Sequence, residues 1–190
     1  MIRVSKIFCA ALLVVSCVCS AYAAESGNEK SQILSVPSVI SDSLPWFAVR
    51  ENGGNNIPFT KTHLQKMAQE SERVALVYFA TWCIPCREGV SRLVESKQEL
   101  ENHNIKVVLV NAGERDEELV GKWVEKMGVG EFKVVMDIFG RMTEVFGLVK
   151  ESARIDLPKT LVLDKSLKPV FLIGREGSDY PQVIWEQTVK

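Results

Sequence analysis

Apolar residues in this chain fall into two periods, and their alternation sketches the fold. Val74–Ala80 is apolar throughout, the pattern of a central strand covered on both faces. Ile105–Val110 repeats it with a single Lys. Between them Val90, Leu93 and Val94 recur at helical steps and Leu100 extends the series, so one helix is expected from at or just before Cys83 onward. Upstream, Pro45–Arg50 and Ile57–Phe59 read as a hairpin around the turn-forming Glu51-Asn-Gly-Gly-Asn-Asn56. A helix capped by Thr60 or Thr62 then carries Leu64, Met67 and Ala68. Downstream, Leu119, Trp123 and Met127 share a helix face that Gly128-Val-Gly130 closes. A strand at Phe132–Met136, a helical turn at Met142–Phe146, strands at Thr160–Leu163 and Pro169–Ile173 and a last helix at Tyr180–Thr188 complete the pattern. Lys150–Asp156 reads as a polar segment and Gly174–Asp179 as a loop. Strands alternate with helices early and end as an antiparallel pair, which predicts an α/β class with a mixed central sheet flanked by helices on both faces.

The first 44 residues break this pattern. Arg3 and Lys6, the apolar run Ile7–Val15 and the small-x-small Ala21-Tyr-Ala23 have the form of a secretory signal over residues 1–23. The run is too short for a bilayer span of about 20 residues. A second route stays open: Val14-Val-Ser-Cys17 resembles a lipobox, which would lipidate Cys17 and tether the chain to a membrane. Residues 24–44 are Ser-rich and without period, and read as a flexible lead or tether to one domain over 45–190. Both routes imply a periplasmic or otherwise extracytoplasmic location, where disulfides persist. A chain starting at Ala24 carries 21 basic and 24 acidic residues, so nothing suggests nucleic acid as a partner.

The same cleavage would remove Cys9, Cys17 and Cys19, leaving Cys83 and Cys86 in Trp82-Cys-Ile-Pro-Cys86. A Cys-x-x-Cys pair after a buried strand and at the mouth of a helix reads as a thiol-disulfide switch, with a purely structural disulfide as the alternative. Unpaired N–H groups and the helix dipole favour the thiolate of Cys83, and the thiolate is the attacking form. Cys86 lies one turn on, placed to displace a mixed disulfide. Pro85 sits in the first turn, where a missing N–H costs little. A zinc centre needs four ligands, and His63 and His103 are distant from the pair in sequence. No metal is expected, and no cofactor beyond the redox-active disulfide.

Phe79-Ala-Thr-Trp-Cys-Ile-Pro-Cys-Arg87 resembles the active-site segment of the thioredoxin-like superfamily, in particular its TlpA/ResA-like extracytoplasmic thiol-disulfide oxidoreductases. Leu157-Pro-Lys-Thr-Leu-Val-Leu-Asp164 is similar to the segment carrying that family's cis-proline. The resemblance implies a thioredoxin-like fold, a cis Pro158 beside the cysteines and catalysis by Cys83 and Cys86. It also implies a substrate-binding surface of Trp82, Ile84, Pro85, Leu157 and Pro158. It further implies reduction of protein disulfides, in cytochrome c maturation or thiol protection, with a membrane protein supplying or accepting electrons. Oxidation or isomerisation of secreted proteins, and a redox-inactive or metal-handling binding module, stay open as alternatives. The chain departs from the pattern at its acids. Thioredoxins carry a buried Asp where this chain has Val77, and the TlpA-like branch a Glu where it has Gly89 and a Pro where it has Ser91. Glu88 is one residue off, about 100° around the helix, so the sequence names no proton acceptor for Cys86.

Overall fold

The computed structural model describes residues 29–37, 44–53, 57–149 and 154–187. The expected signal segment, Cys17, Lys150 to Ala153 and Thr188 lie outside them. Among the described residues, eight strands form one mixed sheet, in the order β1-β8-β7-β4-β5-β6-β2-β3. They are β1 (Gln32–Leu34), β2 (Ala48–Glu51), β3 (Pro58–Thr60), β4 (Arg73–Phe79), β5 (Ile105–Ala112), β6 (Lys133–Asp137), β7 (Lys159–Leu163) and β8 (Pro169–Arg175). The central β4, β5 and β6 are parallel, and every other pairing is antiparallel. The helices are α1 (Lys61–Gln69), α2 (Ile84–Glu95), α3 (Lys97–Asn102), α4 (Glu117–Met127), α5 (Arg141–Val145) and α6 (Tyr180–Glu186).

Alternation along β4 explains how the layers form. Ala75, Val77 and Phe79 enter the core shared with α2, α4 and α6, whereas Val74, Leu76 and Tyr78 enter the opposite core with Leu64 and Ala68 of α1 and Met142 of α5. Successive side chains of a strand point to opposite faces, so a strand between two helical layers must be apolar at every position. The mixed sheet with helices on both faces is therefore as expected.

Four details differ from the sequence reading. The helix expected to run on to Leu100 is broken at Ser96, which ends α2 and begins α3. Leu119 is exposed, and Val120 takes its place beside Trp123 in the core. The hairpin strand starts later than Pro45, at Ala48, because only from there does the chain pair with β3.

The fourth detail corrects the reading of residues 24–44 as a flexible lead. Its described part is docked: Gln32–Leu34 adds an edge strand to β8. Ser178 N–H donates to the Glu29 carbonyl at 3.0 Å, Gly177 N–H to Ser31 Oγ at 2.9 Å, and Ser31 N–H to Asp179 Oδ1 at 2.7 Å. Arg175 pairs with Glu29. Three residues are too few for a strand period to show in the sequence, and the bonds come from residues about 145 positions away. The strap lies so close that a Cβ on Gly177 would sit 2.3 to 2.4 Å from main-chain atoms of Glu29, Lys30 and Ser31. Gly177→Ala is accordingly expected to cost about 1–3 kcal/mol. Urea unfolding should show that loss, and proteolysis should cut residues 29–34 faster; wild-type behaviour in both would mean the strap is not held there.

Candidate functional site

Cys83 and Cys86 meet where the central parallel strand hands over to a helix, the end of an α/β sheet where sites gather. Phe79 ends β4, the chain turns with Cys83 N–H donating to the Ala80 carbonyl at 3.1 Å, and α2 begins at Ile84. Cys83 is thus the N-cap, with extended backbone dihedrals, and not a helical residue. Its sulfur takes the place that a Ser or Asp oxygen usually fills at an N-cap: Cys86 N–H donates to Cys83 Sγ at 3.2 Å. The two sulfurs are joined at 2.00 Å, and their Cα atoms are 5.3 Å apart. Both residues are buried, Cys86 more completely.

The turn that presents them is held from the side. Glu114 accepts hydrogen bonds from Thr81 N–H at 2.8 Å, from Thr81 Oγ1 at 2.6 Å and from Asn111 Nδ2. Asn111 is itself fully buried at the end of β5, so the network ties the loop to the neighbouring strand. The sequence reading missed Glu114, which stands in the polar loop after β5.

The structure brings the expected surface residues together around the pair. Pro85 lies in the first turn of α2, and the Leu157–Pro158 bond is cis, as the family resemblance implies. Pro85, Leu157 and Pro158 line a cleft of about 660 Å³ together with Glu176 and the strap. Trp82 and Leu157 line a second cleft of about 540 Å³ with Arg115, Phe139 and Arg154. Trp82 is 70% exposed, Ile84 65% and Phe139 75%, so apolar surface frames the cysteines. Phe139 is a further member that the sequence reading did not name. His63 is exposed and caps α1, its Nδ1 accepting from Thr60 N–H at 3.1 Å. His103 stacks on Trp185.

Behind the pair lies a carboxyl that the sequence placed in a loop. Glu176 follows β8, is 9% exposed, and turns inward over Gly89, with the strap bonded to the next residue. Thr160 of β7 donates to its Oε1 at 3.1 Å and shares a 2.7 Å hydrogen bond with the buried Tyr180 hydroxyl. Glu176 Oε2 is buried without a hydrogen-bond partner. Burial pushes this carboxyl up from 4.5 to about 7, opposed by the hydroxyls of Thr160 and Tyr180 and by the charge of Arg92.

The raised value has a consequence for stability, and its sign follows from proton counting. Between about 4.5 and about 7 the folded chain holds a proton that the unfolded chain has released. This group's contribution to stability therefore falls as pH rises through that window and levels off above it. The drop is on the order of 3 kcal/mol, at about 1.4 kcal/mol per pKa unit. Glu176→Gln lacks the titration, so its urea-measured stability relative to wild type should rise by that amount from pH 4.5 to above pH 7. A constant difference across the window would show that the carboxyl titrates normally.

Comparisons with known proteins agree with this architecture. Residues 40–168 match the model of the AhpC/TSA family. Among curated proteins, none matches the chain. The fold is similar to that of peroxidoxin BcpB from Mycobacterium tuberculosis, with a TM-score of 0.61, 15% identity, and 77% of this chain and 93% of that one covered. It is similar to a putative thiol:disulfide interchange protein DsbE from Chlorobium tepidum, with a TM-score of 0.54, 20% identity, and coverage of 70% and 84%. A secreted disulfide oxidoreductase from Mycobacterium tuberculosis, described as homologous to E. coli DsbE, gives a TM-score of 0.54 at 13% identity, with coverage of 73% and 91%. With two thirds of its length matched by one family model, this chain belongs to the AhpC/TSA family.

Proposed function

We propose that the chain is an extracytoplasmic thiol-disulfide oxidoreductase that reduces protein disulfides through Cys83 and Cys86. The observation that carries this reading is the placement of Cys83 Sγ as the N-cap acceptor of α2, 3.2 Å from Cys86 N and disulfide-bonded to Cys86. A thiolate at that point gains a backbone hydrogen bond and the positive end of a 12-residue helix.

In the reducing direction, the Cys83 thiolate attacks one sulfur of a substrate disulfide. A mixed disulfide forms and the first substrate sulfur leaves as a thiolate. Cys86, deprotonated, then attacks Cys83 Sγ. The Cys83–Cys86 bond forms, the mixed disulfide breaks, and the second substrate thiolate leaves. Two electrons have passed from the pair to the substrate, and a membrane electron donor must return two to restart the cycle. The exposed Trp82, Ile84 and Phe139 suit an extended chain with apolar side chains. The signal-like segment and the likeness to a secreted oxidoreductase support a location outside the cytoplasm. Domain limits of 1–23, 24–44 and 45–190 are part of this reading, with the docked strap inside the second span.

The likeness to peroxidoxin BcpB favours a second reading, a thiol peroxidase. There a peroxide would oxidise the Cys83 thiolate to sulfenic acid, and Cys86 would condense with it, releasing water.

One set of assays separates the two. Wild-type protein should catalyse insulin reduction by dithiothreitol, Cys83→Ser should lower the rate to background, and Cys86→Ser should accumulate a covalent adduct with insulin. Hydrogen peroxide should be a much poorer electron acceptor. Turnover that survives Cys83→Ser would remove the oxidoreductase reading, and fast Cys83-dependent peroxide consumption without insulin reduction would install the peroxidase.

A further inference from the structure

Gly89 lies on the buried face of α2, one turn beyond Cys86, and the space over it is filled from elsewhere in the chain. A Cβ built on Gly89 would come within 1.7 Å of Glu176 Oε2 and 2.7 Å of its carboxyl carbon. With the carboxyl where it stands, any side chain at position 89 would push it aside. On the sheet side, the hydroxyl bonded to Oε1 belongs to Thr160, which pairs across the β4–β7 ladder with Val77. Gly89 and Val77 are the two positions at which the families that the sequence resembles would place an acid. The carboxyl thus comes from a third position, after β8, into the space between the two that lack it.

We propose that Glu176 is the proton acceptor for Cys86 in the resolving step, supplied from the β8–α6 connection in place of an acid on α2 or β4. The inference rests on the oxidoreductase reading above. Cys86 is 1% exposed, so bulk water is poorly placed to take its proton. Glu176 Oε2 is buried, unpartnered and directed at the helix face that carries Cys86. The proton balance is direct: the Cys86 thiol gives its proton to the Glu176 carboxylate, and the thiolate so formed attacks Cys83 Sγ in the mixed disulfide. The substrate thiolate leaves, and Glu176 returns the proton to solvent through the cleft it lines with Pro85, Pro158 and the strap.

The surroundings set the protonation of this group. From β7 Thr160 donates to Oε1, and from α6 Tyr180 stands behind Thr160. From α2 Arg92 donates to the Glu176 carbonyl oxygen at 3.2 Å, and Glu88 lies within 4.0 Å of Arg92. Arg175 is paired with Glu29 of the strap, Asp179 with the Ser31 amide, and Lys30 neighbours both strap residues. Among the described residues, Arg92 is therefore the cation whose charge is felt at Glu176, and burial outweighs it, leaving the carboxyl at about 7. A proton acceptor works best with a pKa near the working pH.

The test is a single-turnover reaction of the reduced protein with a peptide disulfide from pH 5 to 9, following mixed-disulfide formation and peptide release separately. Wild type should show a break near pH 7 in the release step. Glu176→Gln should lose that break and release peptide about a hundredfold more slowly at pH 7, with a much smaller change in mixed-disulfide formation. Gly89→Glu/Glu176→Ala returns a carboxyl to the same space from the helix side and should recover most of the rate. A wild-type release profile in Glu176→Gln would overturn the assignment while leaving the oxidoreductase reading in place. So would a double variant that forms the mixed disulfide normally but is no faster than Glu176→Ala alone. Failure of wild type to form any mixed disulfide would instead overturn the oxidoreductase reading, and this assignment with it.

Discussion

The 3.2 Å hydrogen bond from Cys86 N–H to Cys83 Sγ is the constraint on which the rest of the site depends. It requires Cys83 to stand outside the helix with extended dihedrals while Cys86 stands inside it, and so fixes the junction of β4 and α2 to the residue. Everything around that junction holds it in place. β4 is clamped between β5 and β7 and buried on both faces, Glu114 ties down Thr81, and the inner face of α2 packs on the core through Val90 and Leu93. The sulfur that receives the helix's free N–H is also the one closer to the surface.

A second constraint shapes the back of the site. Burying a carboxyl is costly unless hydrogen bonds or charges compensate it, and Glu176 has the hydroxyls of Thr160 and Tyr180 on one side and no hydrogen-bond partner on Oε2. The fold bears that cost by several fitted contacts: a glycine beneath the carboxyl, the Tyr180–Thr160 hydroxyl pair beside it and the strap over its backbone. Groups that cost stability yet are held by so many elements are commonly functional, which is why the carboxyl and the cysteines are best considered as one unit.

What the sequence could and could not reveal follows from the range of the interactions. Val74–Ala80, the helix start within a residue of Cys83 and Pro85 in its first turn were legible because their signals are local, whereas the cis Pro158 came only from the family resemblance. The break at Ser96 was hidden because Leu100 continues the apolar series across it. The strap was hidden because its order comes from Arg175, Gly177 and Asp179, far away along the chain. Glu176 stood in a segment that reads only as a loop. Its one trace in the sequence was Gly89, a residue without a side chain at a helix position facing the core, which raises the question of what fills the space.

The direction of electron flow is the central claim, and the reduction potential of the Cys83–Cys86 pair, measured against a glutathione or dithiothreitol buffer at pH 7, tests it most directly. A protein disulfide reductant is expected near the thioredoxin value of roughly −270 mV, and a potential near −120 mV, that of a strong disulfide oxidant, would contradict the account.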